Sequence, residues 1–447
     1  MRHFLNRRRL LQVSCASVAG LAIPSIAQSA SKIAAAKHVI YLHQFGGPSS
    51  HEAFDMKPDA PEEIRGSFKP IASRVPGMQV CELLPDVAKI AHHLTVIRCM
   101  QHRMKNHNSA TYYSLTGFPP PVDDIRLRDT LELFPAFGSV VDRFAPASNG
   151  MPTFVSFPYT LRDGSVTPGQ HASFLGKSHN PFFFTNDPNS AEFRLPELTL
   201  PDSISLERLN NRKQLVDMID RQTNLMEQTA IARGLDESFH KALSMLSTNK
   251  FRQAFDLNAE SKKTRDRYGR TTYGQSCLLA RRLIEAGAKF INVYLSSSIG
   301  GTRNGWDQHG FRGQPADPVL KEWLLPITNQ TLSALISDLH ERGLLKDTLV
   351  LWMGEFGRSP KINPAAGRDH WPQCYTAVMA GGGIKGGHIY GASDKIGAYP
   401  TVGQARPEDI SATIYHQLGI DPETEMRDSL NRPIPISRGN VINELIA

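Results

Sequence analysis

Apolar residues follow two rhythms along this chain. Short continuous runs occur at His38-Val39-Ile40-Tyr41-Leu42, Leu94-Thr95-Val96-Ile97, Phe290-Ile291-Asn292-Val293-Tyr294-Leu295 and Thr348-Leu349-Val350-Leu351-Trp352-Met353. Their length and their β-branched and aromatic content predict strands buried on both faces. Other segments repeat apolar residues every three or four positions, the spacing of one helix face. Leu324, Ile327, Leu332, Leu335, Ile336 and Leu339 mark such a helix, ended by Gly343, and Cys277 to Ala286 forms another, stopped by Gly287. Ala110 to Thr116, closed by Gly117, predicts a third. Buried strands alternating with helices describe an α/β protein with a mainly parallel sheet. In such sheets ligands gather outside the carboxyl ends of the strands. Residues 118–200, rich in Pro, Gly, Asn and Phe without periodicity, read as irregular cover over that end. Residues 203–260, with Leu206, Leu209, Leu215, Met218 and Ile219 at mixed helical spacings, read as a helical insertion.

Composition narrows the class. With 447 residues, 40% hydrophobic and 21% charged, the chain is neither disordered nor collagen-like nor a multispanning membrane protein. Arg7-Arg8-Arg9 precedes an apolar, small-residue run to Ile26, and Ser25-Ile26-Ala27 is a small-x-small cleavage pattern. Residues 1–27 therefore read as a signal peptide of the twin-arginine (Tat) type, which implies the Tat translocase as partner during export and a bacterial periplasmic or secreted destination. A general secretory signal is the alternative. Cleavage removes four arginines and no acidic residue, so the formal charge drops from +7 to +3. No basic stripe with interleaved aromatics is present, and no nucleic-acid partner is expected. Cys81, Cys99, Cys277 and Cys374 are too few and scattered for a disulfide framework, and no CxxC occurs; a Cys81–Cys99 bridge is not arguable from sequence.

Candidate chemistry follows the strands. After Leu295 comes Gly305-Trp306-Asp307-Gln308-His309-Gly310, where Asp307 and His309, two apart, share one side of an extended segment as two ligands of one metal would. A turn-capping Asp and a surface His would look the same. After Met353 comes Gly354-Glu355-Phe356-Gly357-Arg358, where Glu355 is either a ligand or base, or simply the partner of Arg358. Gly367-Arg368-Asp369-His370-Trp371 adds a guanidinium, a carboxylate and an imidazole. Together these supply the N/O donors that zinc, manganese or iron accept, with carboxylate enough for one or two ions, while Arg358 or Arg368 would bind an anion. In the first loop, His51, Glu52 and Asp55 are further candidates. The loop with His102, His107, Asn108, Ser109 and Thr111 offers Ser109 as a nucleophile, though a serine so placed is more often the N-cap of the following helix.

These motifs, with Gly46-Gly47-Pro48-Ser49, Phe54-Asp55-Met56-Lys57-Pro58, Leu115-Thr116-Gly117 and Gly381-Gly382-Gly383, resemble the bacterial exported family known as domain of unknown function 1501, within the alkaline phosphatase and sulfatase-like superfamily. The resemblance spans residues 38–446 and implies an alkaline phosphatase-like three-layer sandwich with a helical insertion. It implies a divalent metal, zinc or manganese. By it, Asp307, His309 and His370 would form one metal site, and Glu355 with Asp55 or Glu52 a second. The usual nucleophile register falls near His107. Departures are visible: Glu355-Phe356 stands where the superfamily has an Asp-His pair, and no Cys-x-Pro-x-Arg motif exists. The resemblance implies hydrolysis of a phosphate or sulfate ester, either small or carried on a sulfated or phosphorylated polymer. The alternative is an exported binding or assembly protein, with a secreted protein as partner, that keeps the fold without a working nucleophile.

Overall fold

A computed structural model describes residues 34–148, 150–194, 249–297, 305–310 and 316–447. The expected signal peptide and most of the helical insertion expected at 203–260 lie outside the described residues; within the latter range, Asn249–Ala254 is helical and Leu257–Ala259 forms a short 3-10 turn. The centre is an eight-stranded sheet made of β1 (His38–His43), β2 (Leu94–Met100), β3 (Phe154–Phe157), β4 (Phe182–Phe183), β5 (Phe290–Tyr294), β6 (Thr348–Met353), β7 (Tyr375–Ala380) and β8 (His388–Tyr390). Its spatial order is β8-β2-β7-β6-β1-β5-β3-β4. β1 lies parallel to β6, with His43 opposite Met353, and parallel to β5, with His43 opposite Tyr294. β7 runs antiparallel to both its neighbours and is the reversed strand in an otherwise parallel sheet.

Side-chain alternation divides the interior into two cores. Val39 and Tyr41 of β1, with Leu349, Leu351 and Met353 of β6, face α2 (His107–Thr116), α3 (Phe137–Phe144) and α6 (Pro407–Gln417). Ile40 and Leu42, with Val350, Trp352, Ile291 and Val293, face α1 (Pro85–Ile90), α4 (Thr272–Ala286) and α5 (Leu325–Glu341). Both faces are thus covered, which is why the strands read as unbroken apolar runs rather than alternating ones. The result is a mixed α/β three-layer sandwich. α4 begins five residues before its apolar pattern, because Thr271 caps it by accepting the Gly274 N–H at 3.0 Å, and it ends where Gly287 turns left-handed.

Residues 118–200 depart from the irregular cover expected of them. They supply α3 and two strands of the central sheet, β3 and β4. β3 is only four residues, Phe154-Val155-Ser156-Phe157, all buried, and its pairing with β5 lends it the order its length cannot signal. All four described cysteines are free and buried, Cys81 and Cys99 included. Burial pushes the thiols of Cys81, Cys99 and Cys374 up to about 12, which leaves them unreactive at neutral pH.

Candidate metal centre at the carboxyl ends of the strands

Four segments meet where β1 and β6 end. β1 leads into the Gly46-Gly47 turn and β6 into Gly354-Glu355. A ribbon pairs Gly357–Arg358 with His370–Trp371, and α2 opens with His107. Glycine makes the approach of these loops possible. A Cβ on Gly46 would stand 2.7 Å from the Trp306 nitrogen, so the 305–310 loop sits directly on this turn, held by the Trp306 N–H donating to Phe45 O at 3.0 Å. Through Arg368 N–H donating to Gln308 O at 3.1 Å, the same loop is tied to the ribbon.

Asp307 is the focus. Its Oδ1 lies 2.9 Å from His309 Nε2, 3.2 Å from His370 Nε2, 3.3 Å from His107 Nε2 and 2.6 Å from Arg358 Nη2. Behind each imidazole the second nitrogen has its own acceptor. His107 Nδ1 is 2.7 Å from Glu355 Oε1, His370 Nδ1 is 2.7 Å from Lys105 O, and His309 Nδ1 is 3.3 Å from Asp369 Oδ1. A ring that donates through Nδ1 turns its Nε2 inward, which is the outer-shell arrangement of metal-ligating histidines. His309 Nε2 also accepts from Arg358 Nη1 at 3.2 Å, yet it faces His370 Nε2 at 2.9 Å. Two inward lone pairs beside a carboxylate oxygen call for a cation among them, so these donors fit a divalent metal. Among the described residues, ligand atoms of His107, Asp307 and His370 all lie within 4.8 Å of one another.

The charges are strongly coupled. Burial alone would lift the Asp307 carboxyl, but Arg358 and then the three imidazoles hold it well below the usual carboxylate range. Burial would likewise push His107 down, but its contacts with Asp307 and Glu355 prevail and raise it to about 9. His370 is pushed down to about 4, first by burial and then, against the pull of Asp307, by Arg358 and His107. Glu355 is fully buried and still held low, because His107 outweighs the burial penalty; its Oε1 also accepts the Gly46 N–H at 2.8 Å, and its Oε2 has no hydrogen-bond partner.

The sequence candidates divide sharply. His107, Asp307, His309, Glu355, Arg358 and His370 come together, with Asp369 at the rim, its side chain 65% exposed. Glu52 and Asp55 are occupied elsewhere: Glu52 pairs with Arg368, and Asp55 contacts Lys57 at 3.0 Å and Arg98 at 3.4 Å. Arg368 spends its guanidinium on Glu52, Ile64 O, Ser359 O and Pro360 O. Arg358 is equally committed, its five N–H groups meeting Gly46 O, Gly47 O, Arg368 O, His309 Nε2 and Asp307 Oδ1. Neither arginine presents a free donor to an anion. The Ser109 hydroxyl donates to Val122 O and Asp124 O at 3.2 and 3.1 Å and accepts the Asp124 N–H at 2.8 Å, so it is neither in the cluster nor an N-cap but a clasp on the following loop.

Two more histidines lie beside the cluster, and an aspartate lies on a hairpin next to the start of α2. His102, in sequence only one member of a polar loop, is buried; it contacts Glu355 O at 2.6 Å through Nε2 and accepts the Met104 N–H at 3.0 Å through Nδ1. His43 closes β1, its Nε2 3.0 Å from Ser114 Oγ. Asp163 sits in a hairpin, Arg162–Asp163 against Ser165–Val166, and the charges of His107, Asp307 and Glu355 act on it. Lone histidines and a loop aspartate are too common in sequence to single out.

A mixed α/β sandwich with a histidine–aspartate cluster at the carboxyl end of its sheet is the class that fold and site define. The chain belongs to the family described as Protein of unknown function (DUF1501), which it matches over residues 36–446. No curated protein matches it. Similar solved structures include a sulfatase from Pseudoalteromonas sp. (12% identity, 86% of this chain and 68% of that one, TM-score 0.39). A protein in the alkaline phosphatase superfamily from Vibrio parahaemolyticus is 11% identical over 93% of this chain and 76% of that one, with a TM-score of 0.38. A phosphonate monoester hydrolase from Silicibacter pomeroyi is 11% identical over 92% and 76%, again with a TM-score of 0.38.

Proposed function

We propose that the chain is an exported, divalent-metal-dependent hydrolase of phosphate or sulfate esters. One observation carries this reading: three imidazole Nε2 atoms converge on a single oxygen of Asp307 while their other nitrogens are tied to acceptors. Asp307, His309, His370 and His107 would hold the ion, zinc or manganese, with Glu355 and Asp369 orienting His107 and His309 from behind. When bound, such an ion polarises the ester oxygen and promotes ionisation of the attacking water. The chain's own residues supply position and field. Glu355 fixes the His107 ring, and Arg358 offsets the Asp307 charge while locking the 305–310 loop to the Gly46-Gly47 turn. α2 begins at His107, so its positive end faces the cluster and favours an anionic group there. The substrate class is a small anionic ester or a sulfated or phosphorylated polymer. Export by the Tat route to the periplasm or beyond rests on residues 1–27; among the described residues no helix is long and apolar enough to cross a membrane.

A second reading has its own support, the full commitment of Arg358, Arg368 and Ser109 to internal contacts: an exported binding or assembly protein that keeps the fold without a working nucleophile. Elemental analysis of the mature protein, beside the Asp307→Ala, His370→Ala double variant, followed by an ester panel on metal-loaded protein, separates the two. Stoichiometric metal lost in the variant together with turnover of any ester supports the hydrolase. Metal with no turnover supports the second reading, and no metal in folded protein refutes the hydrolase and leaves the second reading standing.

A further inference from the structure

Among the described residues, the cluster itself leaves one requirement of ester cleavage unmet. A departing alcohol needs a proton, yet the three imidazoles turn their Nδ1 atoms away toward Glu355, Lys105 and Asp369, and both arginines are saturated. A carboxyl group outside the donor set is carried on a hairpin that packs against the opening of α2, one residue from His107. Asp163 is carried on a two-residue-stranded hairpin whose tip, Gly164, is left-handed at φ +67° and has open space around it. The hairpin is pinned to the opening of α2. Asn108, next in sequence to His107 and wholly buried, donates from Nδ2 to Asp163 O at 3.1 Å and accepts the Thr167 hydroxyl at 2.8 Å on its Oδ1. Arg162 N–H donates to Ser297 O at 3.0 Å, which fixes the other side. The Asp163 main chain is thereby placed with care, while its Oδ2, shielded from solvent, has no hydrogen-bond partner.

The geometry points to Asp163 as the catalytic acid that protonates the leaving-group oxygen, a role that rests on the hydrolase reading above. Water attacks phosphorus or sulfur and forms the new P–O or S–O bond. As the bond to the leaving group breaks, its electron pair stays on the leaving oxygen, which takes the proton of Asp163. The attacking water's proton passes to solvent, and Asp163, whose side chain as a whole is only half-buried, regains one from solvent, so ester and water give alcohol and the inorganic anion. The surroundings of Asp163 favour its protonated form. Burial first, and then the negative charges of Asp307 and Glu355, raise its carboxyl against the opposing pull of His107.

The test compares leaving groups. Full-length mature protein and Asp163→Asn, each loaded with zinc or manganese, are assayed on phenyl and 4-nitrophenyl phosphates and sulfates. A general acid contributes about 10²–10⁴-fold where the leaving group is a poor anion. Asp163→Asn should therefore lose about 100-fold or more in kcat/KM on phenyl esters and less than about threefold on 4-nitrophenyl esters. The same loss on both, or loss of stoichiometric metal, overturns the assignment and leaves hydrolysis standing. If the variant does not fold, the wild-type dependence of kcat/KM on leaving-group pKa decides: a shallow slope supports Asp163 and a steep one overturns it. No turnover of any ester by metallated wild type removes the hydrolase reading and this role with it.

Discussion

Gly46→Ala tests whether the cluster depends on one backbone contact. Gly46 has φ +104°, a conformation that costs an L-residue about 1–3 kcal/mol. The added Cβ would also stand 2.7 and 2.8 Å from the Trp306 N and C atoms, and nearer still to Asp307 N. Ordinary contact begins near 3.4 Å, so the 305–310 loop must withdraw by most of an ångström. The Trp306 N–H to Phe45 O bond would lengthen with it, and Asp307 rides on the same segment. Site constellations tolerate about 0.5 Å of displacement, and disturbed support shells cost about 10–100-fold in metal affinity. The expected outcome is a stability loss of about 2–4 kcal/mol, read from denaturant unfolding with chelator present, and zinc binding weakened by about 10–100-fold in a competition titration. Gly343→Ala is the control. Its φ is +70° but a Cβ there meets nothing within 4 Å, so it should lose only the backbone cost, about 1–2 kcal/mol, and keep its metal. Wild-type stability and wild-type affinity in Gly46→Ala would refute the reasoning.

Acid should weaken the fold through His102 and His43, both held down to about 4 by burial. Because their folded values lie below the unfolded one, near 6.5, the unfolded chain takes up protons first, and stability falls as pH drops from 6.5 toward 4 by up to about 1.4 kcal/mol per pH unit for each ring. His102→Gln should flatten that slope in unfolding curves at pH 7.5 and 5, and an unchanged slope would count against it. Arg281, only 1% exposed, meets Glu260 at 3.0 Å, Glu285 at 2.6 Å and Asp338 at 3.0 Å. Each carboxylate keeps a second arginine, Arg282 on Glu260 and Arg342 on Glu285 and Asp338, so Arg281→Ala removes hydrogen bonds and packing rather than the last cation and should cost about 1–3 kcal/mol by thermal or denaturant unfolding. Ser109→Ala should lose only about 1–3 kcal/mol, the cost of its loop contacts, and keep full metal content; loss of metal would place Ser109 back in the centre. Chelation should lower the melting temperature of wild type and leave that of the Asp307→Ala, His370→Ala double variant unmoved.

Strands β1, β5 and β6 and helices α4 and α5 were legible because each carries a rhythm long enough to register: apolar residues running together, or apolar positions recurring over several turns. β3 and β4 were not, since four residues and two residues cannot establish a period, and their order comes from pairing with β5 and with each other. α2 starts earlier than expected, at His107, because its first three residues are polar and buried, a pattern set by the loops packed on them rather than by amphipathic spacing. Glu355, Asp307, His309 and His370 stood out since carboxylates and imidazoles just past apolar strands are unusual in type and place.

What the sequence determined by itself was therefore the alternation of buried strands and helices, the end of the sheet at which chemistry collects, and the donor types gathered there. Tertiary structure alone decided how those residues are used. Charge type is local, but hydrogen-bond allegiance is not: Arg368 goes to Glu52, 316 positions away in sequence, and Arg358 to Gly46 and Asp307. Asp163 and His102 acquire their place near the cluster only when the hairpin and the loop after β2 fold over α2. An isolated motif fixes what a side chain can donate or accept, and only the folded chain fixes which partner comes within hydrogen-bonding reach of it.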